Sequence, residues 1–529
     1  MSTTAAPTRP ARPSIPGIPR VAAGMIGGLA VGAALASGHL VAALTSPSSS
    51  PFLAVGDTVI RFSPQPLTEF AKTTLGTADK PVLLGGIAVV LAILAVLTGL
   101  LARRRPGPGV SVVVVLGLLG LGAVTLAPAY APRDLAAPCV ALAVGVAVFG
   151  VLHALARRTY SPTAPETGRV QVTRRSVLVG TSAAVAVASL ASAGAGQFLG
   201  RGVEDSRRRV TERLARLRLA ERAPAIPPGS AFPELGTPTF LTSNRDFYRI
   251  DVALRIPAQR AEDWALRIHG MVENELTLTF DDLLARPLVE RTITMTCVSN
   301  PVGGDLVSTA NFIGVDLRRV LLDAGVRPGA DQIFATSVDG WYTGTPTDVV
   351  LEEGRGALLA VGMNGEALPP EHGFPVRMVV PGLYGYVSAT KWLTDLELTT
   401  FGAESGYWLE RGWAQKAPIK TQCRIDVPRG FATVPAGRVT VAGIAWSQPT
   451  GISRVEVRMD GGPWKEAGLA DEVNPRTWRM WRAEFELAPG SHTVQTRATD
   501  RNGNTQTEMR ADPIPDGASG WPATIFTAA

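Results

Sequence analysis

The sequence predicts a multi-domain protein in three parts: an N-terminal α-helical transmembrane block, a mixed α+β domain and a C-terminal immunoglobulin-like β-sandwich. Length, hydropathy and a change of residue periodicity predict it. At 529 residues the chain exceeds one ordinary domain. Ala, Leu, Val and Gly dominate the first 200 residues, whereas Trp, Asp and Glu concentrate after Pro224. Beyond Phe240 the long apolar runs give way to short alternating segments punctuated by Gly and Pro. The expected divisions are a membrane block over 1–200, a charged helix and Pro-rich linker over 201–239, the α+β domain over 240–422 and the β-sandwich over 423–529.

Four apolar stretches, about 21–44, 81–102, 110–130 and 136–156, match the roughly 20 residues that a bilayer core requires. A fifth, about 176–199 and rich in Ala, Gly and Ser, is less apolar. The net charge of +6 does not point to nucleic acid, because the basic residues flank the apolar runs: Arg103 to Arg105, Arg157, Arg158, Arg174, Arg175 and Arg207 to Arg209. A cytoplasmic N-terminus puts Arg9, Arg12, Arg20 and all of these except the last group inside. The fifth segment then carries the rest of the chain outward across the plasma membrane. Against this order, Arg201, Arg207 to Arg209, Arg213, Arg216, Arg218 and Arg222 follow the fifth segment and fall outside. Thr173-Arg174-Arg175-Ser176-Val177-Leu178 resembles a twin-arginine export signal, a route for folded proteins. His39 and His153 lie at opposite ends of their spans, about 20 Å apart in depth, so they do not form a haem pair, and no Cys-x-x-Cys-His is present. No haem is expected.

In the soluble part, Trp264 to Ile268 reads as a strand and Leu317 to Ala324 as a helix. After Cys423, alternation over Arg438–Ile444, Arg454–Met459, Trp478–Leu487 and Thr493–Ala498 marks the sandwich. The three cysteines, Cys139, Cys297 and Cys423, make neither a disulfide framework nor a paired zinc site. Physical reasoning singles out Cys297, His372 with Arg377, and Lys391. Each also has a structural alternative: buried core for the thiol, a solvated turn for the histidine, a surface position for the lysine.

Several segments occur in the order found in one family. Thr242-Ser243-Asn244-Arg245-Asp246-Phe247-Tyr248 opens, Cys297 follows, then Asn364-Gly365-Glu366-Ala367-Leu368-Pro369-Pro370-Glu371-His372-Gly373-Phe374-Pro375-Val376-Arg377, Val380-Pro381-Gly382 and Lys391-Trp392-Leu393. Gly443 to Trp446 and Met459 to Trp464 complete the series. Over about residues 240–525 the chain resembles the sulfite oxidase superfamily of molybdopterin enzymes. The resemblance implies an oxidoreductase with a molybdenum–molybdopterin cofactor and Cys297 as metal ligand and catalytic centre. It also implies a C-terminal domain of the dimer-forming type, hence a possible homodimer, and a separate electron partner, either a cytochrome or a quinone-linked membrane protein. By motif position it gives Arg377 and Lys391 to the pterin phosphate, helped by Thr390 and His372. Asn244, Tyr248, Arg249 and Ser337 are its further cofactor contacts. A soft thiolate suits a metal already held by dithiolene sulfur, and a guanidinium fork suits phosphate.

The match departs from the animal and plant enzymes at the substrate. Where they carry an arginine five residues after the cysteine and another just past the opening motif, this chain has Val302 and Ile250, and Val361 stands at their tyrosine. Each charge-assisted bond to a buried oxyanion contributes about 1.5 to 3 kcal/mol, so sulfite is disfavoured. Val361-Gly362 is closer to the bacterial sulfoxide-reductase branch, whereas Val298 to Gly304 lacks that branch's aromatic residues. The alternatives left open are a sulfite dehydrogenase, a methionine sulfoxide reductase and a surface assembly protein without catalysis.

Overall fold

The computed structural model describes residues 17–45, 49–64, 78–127, 130–160, 201–252 and 256–529, with isolated positions between 67 and 75 and between 179 and 187. The chain divides at about residue 201 into two units. The first contains α1 (Arg20–Thr45), α2 (Pro51–Phe62), α3 (Asp79–Leu101), α4 (Gly107–Thr125) and α5 (Ala136–Thr159). Four helices, with α5 counted from Pro132, are long and apolar enough to cross a membrane. Hydropathy did not show α2, whose 12 residues are too few to span. The fifth apolar segment is described only at isolated positions, and Arg174-Arg175 lies outside the described residues.

Small residues let α1 and α3 touch backbone to backbone: a Cβ on Gly27 would sit 1.9 Å from the Ala95 carbonyl oxygen, and one on Gly99 1.8 Å from that of Ala23. One end of the bundle gathers the arginines. The Ile18 amide donates to the Arg103 carbonyl at 2.9 Å, Arg103 Nε donates back to the Ile18 carbonyl at 2.8 Å, and Arg157 donates to the Arg104 carbonyl at 2.9 Å. His153 packs at this end too, its Nε2 2.8 Å from the Ala102 carbonyl oxygen.

The second unit begins with helix α6 (Arg201–Arg216), whose Val203, Val210 and Leu214 enter the core of the following domain. Four of its arginines are paired with carboxylates: Arg207 with Glu366, Arg208 with Asp205, Arg209 with Glu262 and Arg213 with Asp281. The Pro-rich run after it is bound along its length. The Ala223 amide donates to Glu290 at 3.2 Å, and the Gly229 carbonyl accepts from the Asp471 amide at 2.9 Å.

Two sheets form the mixed α/β part. One has the order β2 (Leu276–Thr279), β1 (Ala265–Gly270), β10 (Leu393–Thr399), β5 (Gln332–Ser337), β6 (Tyr342–Pro346), with β1 and β10 parallel. The other has β3 (Leu288–Thr296), β4 (Val307–Asp316), β7 (Leu358–Met363), β8 (Glu366–Ala367), with β9 (Arg377–Val379) also on β7. Two short helices follow local rules: Thr279 and Asp282 form a capping box on Phe280–Leu284, and Asp316 caps Leu317–Ala324, which ends at Gly325 with φ +69°.

The C-terminal part is β-rich, with one sheet ordered β11 (Gln422–Val427), β13 (Gly437–Trp446), β17 (Arg479–Leu487), β16 (Gly468–Leu469). The other is β12 (Thr433–Val434), β19 (Ala523–Ala528), β18 (Gly490–Asp500), β14 (Ile452–Met459), β15 (Lys465–Glu466). It is not separate from the α/β part. Trp446, Trp478 and Met480 join the α/β core. The Trp478 amide donates to Thr294 Oγ1 at 2.7 Å, the Thr294 amide to the Arg476 carbonyl at 3.0 Å, and Gln448 Nε2 to the Thr294 carbonyl at 3.1 Å. Strand β3 is thereby tied to the β-rich part three residues before Cys297.

Candidate cofactor site

Cys297 follows the last residue of β3 and is 8 % exposed. Its amide donates to the Leu306 carbonyl at 2.9 Å, and its carbonyl accepts from the Asn300 amide at 3.1 Å. Asn300 Oδ1 accepts from the Leu306 amide at 2.9 Å, closing the loop. The thiol is therefore held on a backbone fixed at both ends. Cys423 differs: it is fully buried in β11, its sulfur is 3.0 Å from Gln506 Oε1, and burial pushes the thiol far up. Cys139 is exposed on α5.

Around Cys297 the sequence-predicted residues converge. The Tyr248 hydroxyl is pushed well up, first by burial and then by Cys297, while Arg377 pulls it down, so these three share one neighbourhood. A Cβ on Gly385 would lie 3.5 Å from that hydroxyl and 3.9 Å from the Thr296 carbonyl oxygen. Arg377, on β9, is 4 % exposed and donates from Nη1 to the His372 carbonyl at 3.2 Å and from Nη2 to the Ala389 carbonyl at 3.4 Å. Its Nε has no partner, and among the described residues no carboxylate pairs with it. Burial lowers its pKa to about 10. A buried cation left without an anion is unfavourable, and an anionic group beside the open Nε would relieve it.

His372 is 3 % exposed, and its Nε2 donates to the Asn244 carbonyl at 3.0 Å. Burial, then Arg377, lowers its pKa to about 3, so the ring is neutral. Lys391 lies 3.1 Å from Asp251 Oδ2 and 3.3 Å from the Glu371 carbonyl oxygen; burial lowers it to about 8, with Asp251 opposing. Thr390 is fully buried and its Oγ1 has no partner. Gly373, at φ +106°, lets these pieces meet, because a Cβ there would press on Arg377 Cβ at 3.0 Å and Lys391 Cα at 3.1 Å.

The other expected contacts are placed less directly. Ser337 donates to Asp339, whose carboxyl is raised by burial and lowered in part by Lys391. Arg249 is 43 % exposed in its side chain and pairs with Asp251 at 2.8 Å. Asn244 spends its side chain on Glu366, at 2.6 Å, and on Asn364, at 2.9 Å, so it offers His372 only its carbonyl. Sequence reasoning missed Asp251, Asp339 and Tyr384, the last raised to about 12 by burial with a contribution from Cys297. They lie between the motifs, and no spacing rule marks them.

A crevice of about 300 Å³ lies elsewhere, lined by Glu221, Arg291, Arg318, Glu352 and Arg476 among others. Arg291 is six residues up β3 from Cys297, about 20 Å along a strand, so this crevice is apart from the site.

One buried thiol and a buried guanidinium without a carboxylate are the donor types that suit a thiolate-bound metal carried by an organic group with an anionic end. The orphaned Arg377 Nε, Thr390 Oγ1 and Thr296 Oγ1 fit such a group. Residues 253–408 match the family model described as the oxidoreductase molybdopterin binding domain. The chain is 30% identical over 326 residues to sulfite oxidase of Gallus gallus, covering 53% of this chain and 70% of that one. It is 31% identical to the mitochondrial sulfite oxidase of Macaca fascicularis over 53% of this chain and 59% of the relative, and 27% identical to an NADH nitrate reductase of Solanum lycopersicum over 48% and 35%. Among solved structures, the sulfane dehydrogenase SoxCD of Paracoccus pantotrophus aligns at 24% identity and a TM-score of 0.49, over 58% of this chain and 88% of that one. The chain belongs to the sulfite oxidase family and is a molybdopterin-dependent oxidoreductase with a molybdenum–molybdopterin cofactor.

Proposed function

We propose that this oxidoreductase is membrane-anchored, works outside the cytoplasm and exchanges two electrons or an oxygen atom with a small neutral oxide, a sulfoxide before sulfite. When bound, the cofactor supplies the two-electron chemistry. The chain supplies the rest: Cys297 is the metal's protein sulfur, Arg377, Lys391 and Thr390 receive the pterin phosphate with neutral His372 beside them, and Tyr248 borders the metal position. Asn244, Arg249 and Ser337 brace that pocket. The observation that carries the assignment is the buried guanidinium of Arg377, which has no carboxylate among the described residues.

Substrate selection rests on missing charge. Val302 and Ile250 cannot donate to an oxyanion, and Val361 is fully buried within β7. The electron partner is a separate cytochrome or quinone-linked membrane protein, and the β-rich C-terminal part, read as an immunoglobulin-like sandwich, is the surface for a homodimer. The arginine-rich end of the helix bundle is the cytoplasmic end. An outer location for the α6 arginines is supported by their ion pairs with carboxylates of the folded domain, which make them part of that domain rather than a lipid flank. Metal and pterin analysis of the purified full chain tests the assignment first, with about one molybdenum and one pterin per chain expected. Reoxidation of the loaded enzyme by methionine sulfoxide and reduction by sulfite are then compared. Turnover of sulfite faster than of any neutral oxide would overturn the substrate reading.

A further inference from the structure

We infer that Arg207, on the helix that enters the soluble unit, is a positioning residue for the cofactor pocket. This inference rests on the cofactor assignment above. Arg207 lies outside every motif, in a charged helix whose arginines the sequence reads as flanking an apolar run. Its guanidinium instead grips the signature loop: Nη2 pairs with Glu366 at 2.8 Å, and Nε donates to the Leu368 carbonyl at 3.1 Å. One turn along, Thr211 Oγ1 accepts from the Ala367 amide at 3.0 Å. From Glu366 the contacts continue without a gap. Glu366 Oε1 accepts from Asn244 at 2.6 Å, the Asn244 carbonyl accepts from His372 at 3.0 Å, and the His372 carbonyl accepts from Arg377 at 3.2 Å. Four links thus join a helix surface to the buried guanidinium assigned to the phosphate.

The links are of the kind that orient a ligand. Arg207 is 16 % exposed in its side chain, and its planar fork holds a carboxylate and a carbonyl together, which Lys could not do with one ammonium. Removing it leaves Glu366 without its cation and loosens one of the bonds that hold Asn244, whose other side-chain partners are Asn364 and the Met363 carbonyl, and so weakens the support behind His372 and the carbonyl that Arg377 uses. Partners behind the direct ligands commonly change affinity by about 10- to 100-fold. Arg209 provides the control. It sits on the same helix and anchors it through Glu262 at 2.6 Å, with no link to the signature loop.

The experiment uses the full chain, isolated with its cofactor, as wild type, Arg207→Ala, Arg207→Lys and Arg209→Ala. The readouts are molybdenum and pterin content per chain, the rate of pterin release into buffer and the thermal midpoint. Pterin release at least about fivefold faster in Arg207→Ala, intermediate in Arg207→Lys and near wild type in Arg209→Ala is the expected result. Equal release from Arg207→Ala and Arg209→Ala, or release that follows only the thermal midpoint, would overturn it and leave the cofactor assignment intact. A wild-type chain devoid of pterin would instead remove the assignment itself.

Discussion

His372 shows how one residue can be visible in the sequence while its state is not. The motif places it beside Arg377, and its spacing says nothing of charge. In the fold it is neutral, because burial and the neighbouring guanidinium hold its pKa near 3 against an ordinary 6.5. Between those values the unfolded chain binds the additional proton. Stability is therefore complete above about pH 6.5 and falls as the pH drops toward 3, with a slope of up to about 1.4 kcal/mol per pH unit from this group. Denaturant titrations from pH 7 to pH 4 should show His372→Gln with a shallower loss than wild type; identical slopes would contradict the burial of a neutral ring. Cys297 is the opposite case. Its place in the order of motifs set it apart from Cys423, but its own flanking residues did not. What separates them is tertiary: a closed loop near a cation for one, a sealed β-sheet interior for the other. Asp251 and Asp339 were illegible for a related reason, since a carboxylate becomes part of a site only when folding brings a buried lysine to it.

At the scale of elements, hydropathy and periodicity recovered what each segment expresses by itself. The four long apolar helices, the helix Leu317–Ala324 and the strands after Cys423 fall where alternation and run length put them. Contacts between segments were not recovered. The helix α2 is too short for a hydropathy window, and α6 has a polar surface whose arginines find their carboxylates far along the chain. The α1–α3 contact is equally non-local, and it makes a sharp prediction. Gly27→Val puts three carbons where the Ala95 carbonyl already stands, so the two helices must separate. Detergent-solubilised protein should be destabilised by about 1 to 3 kcal/mol in this variant, seen as a lower thermal midpoint, whereas Gly28→Val, with nothing within 4 Å, should keep the wild-type midpoint. Equal behaviour of the two variants would mean that the close approach is not formed.

For the whole molecule, the expected boundary at 422/423 follows a change of periodicity, and Trp446, Trp478 and Met480 from beyond it pack into the α/β core. Trp478 crosses it, 2 % exposed, with its indole N–H donating to the Phe240 carbonyl at 3.1 Å and its amide donating to Thr294. Trp478→Ala should cost about 3 to 5 kcal/mol and lower one shared unfolding transition of the α/β and β-rich parts. Two separate transitions in denaturant, with only the β-rich one affected, would show that the boundary is also a thermodynamic one.

The bonds to Thr294 also set an order of events during biosynthesis. The strand that presents Cys297 finds partners for the Thr294 amide, hydroxyl and carbonyl at Arg476, Trp478 and Gln448. Those residues reach the ribosome's exit long after the cysteine does. A nascent chain that has already produced every cofactor motif up to Lys391 therefore still lacks the residues that tie down the strand leading to Cys297. A cofactor pocket that is rigid only when these late residues are in place favours insertion after the polypeptide is complete.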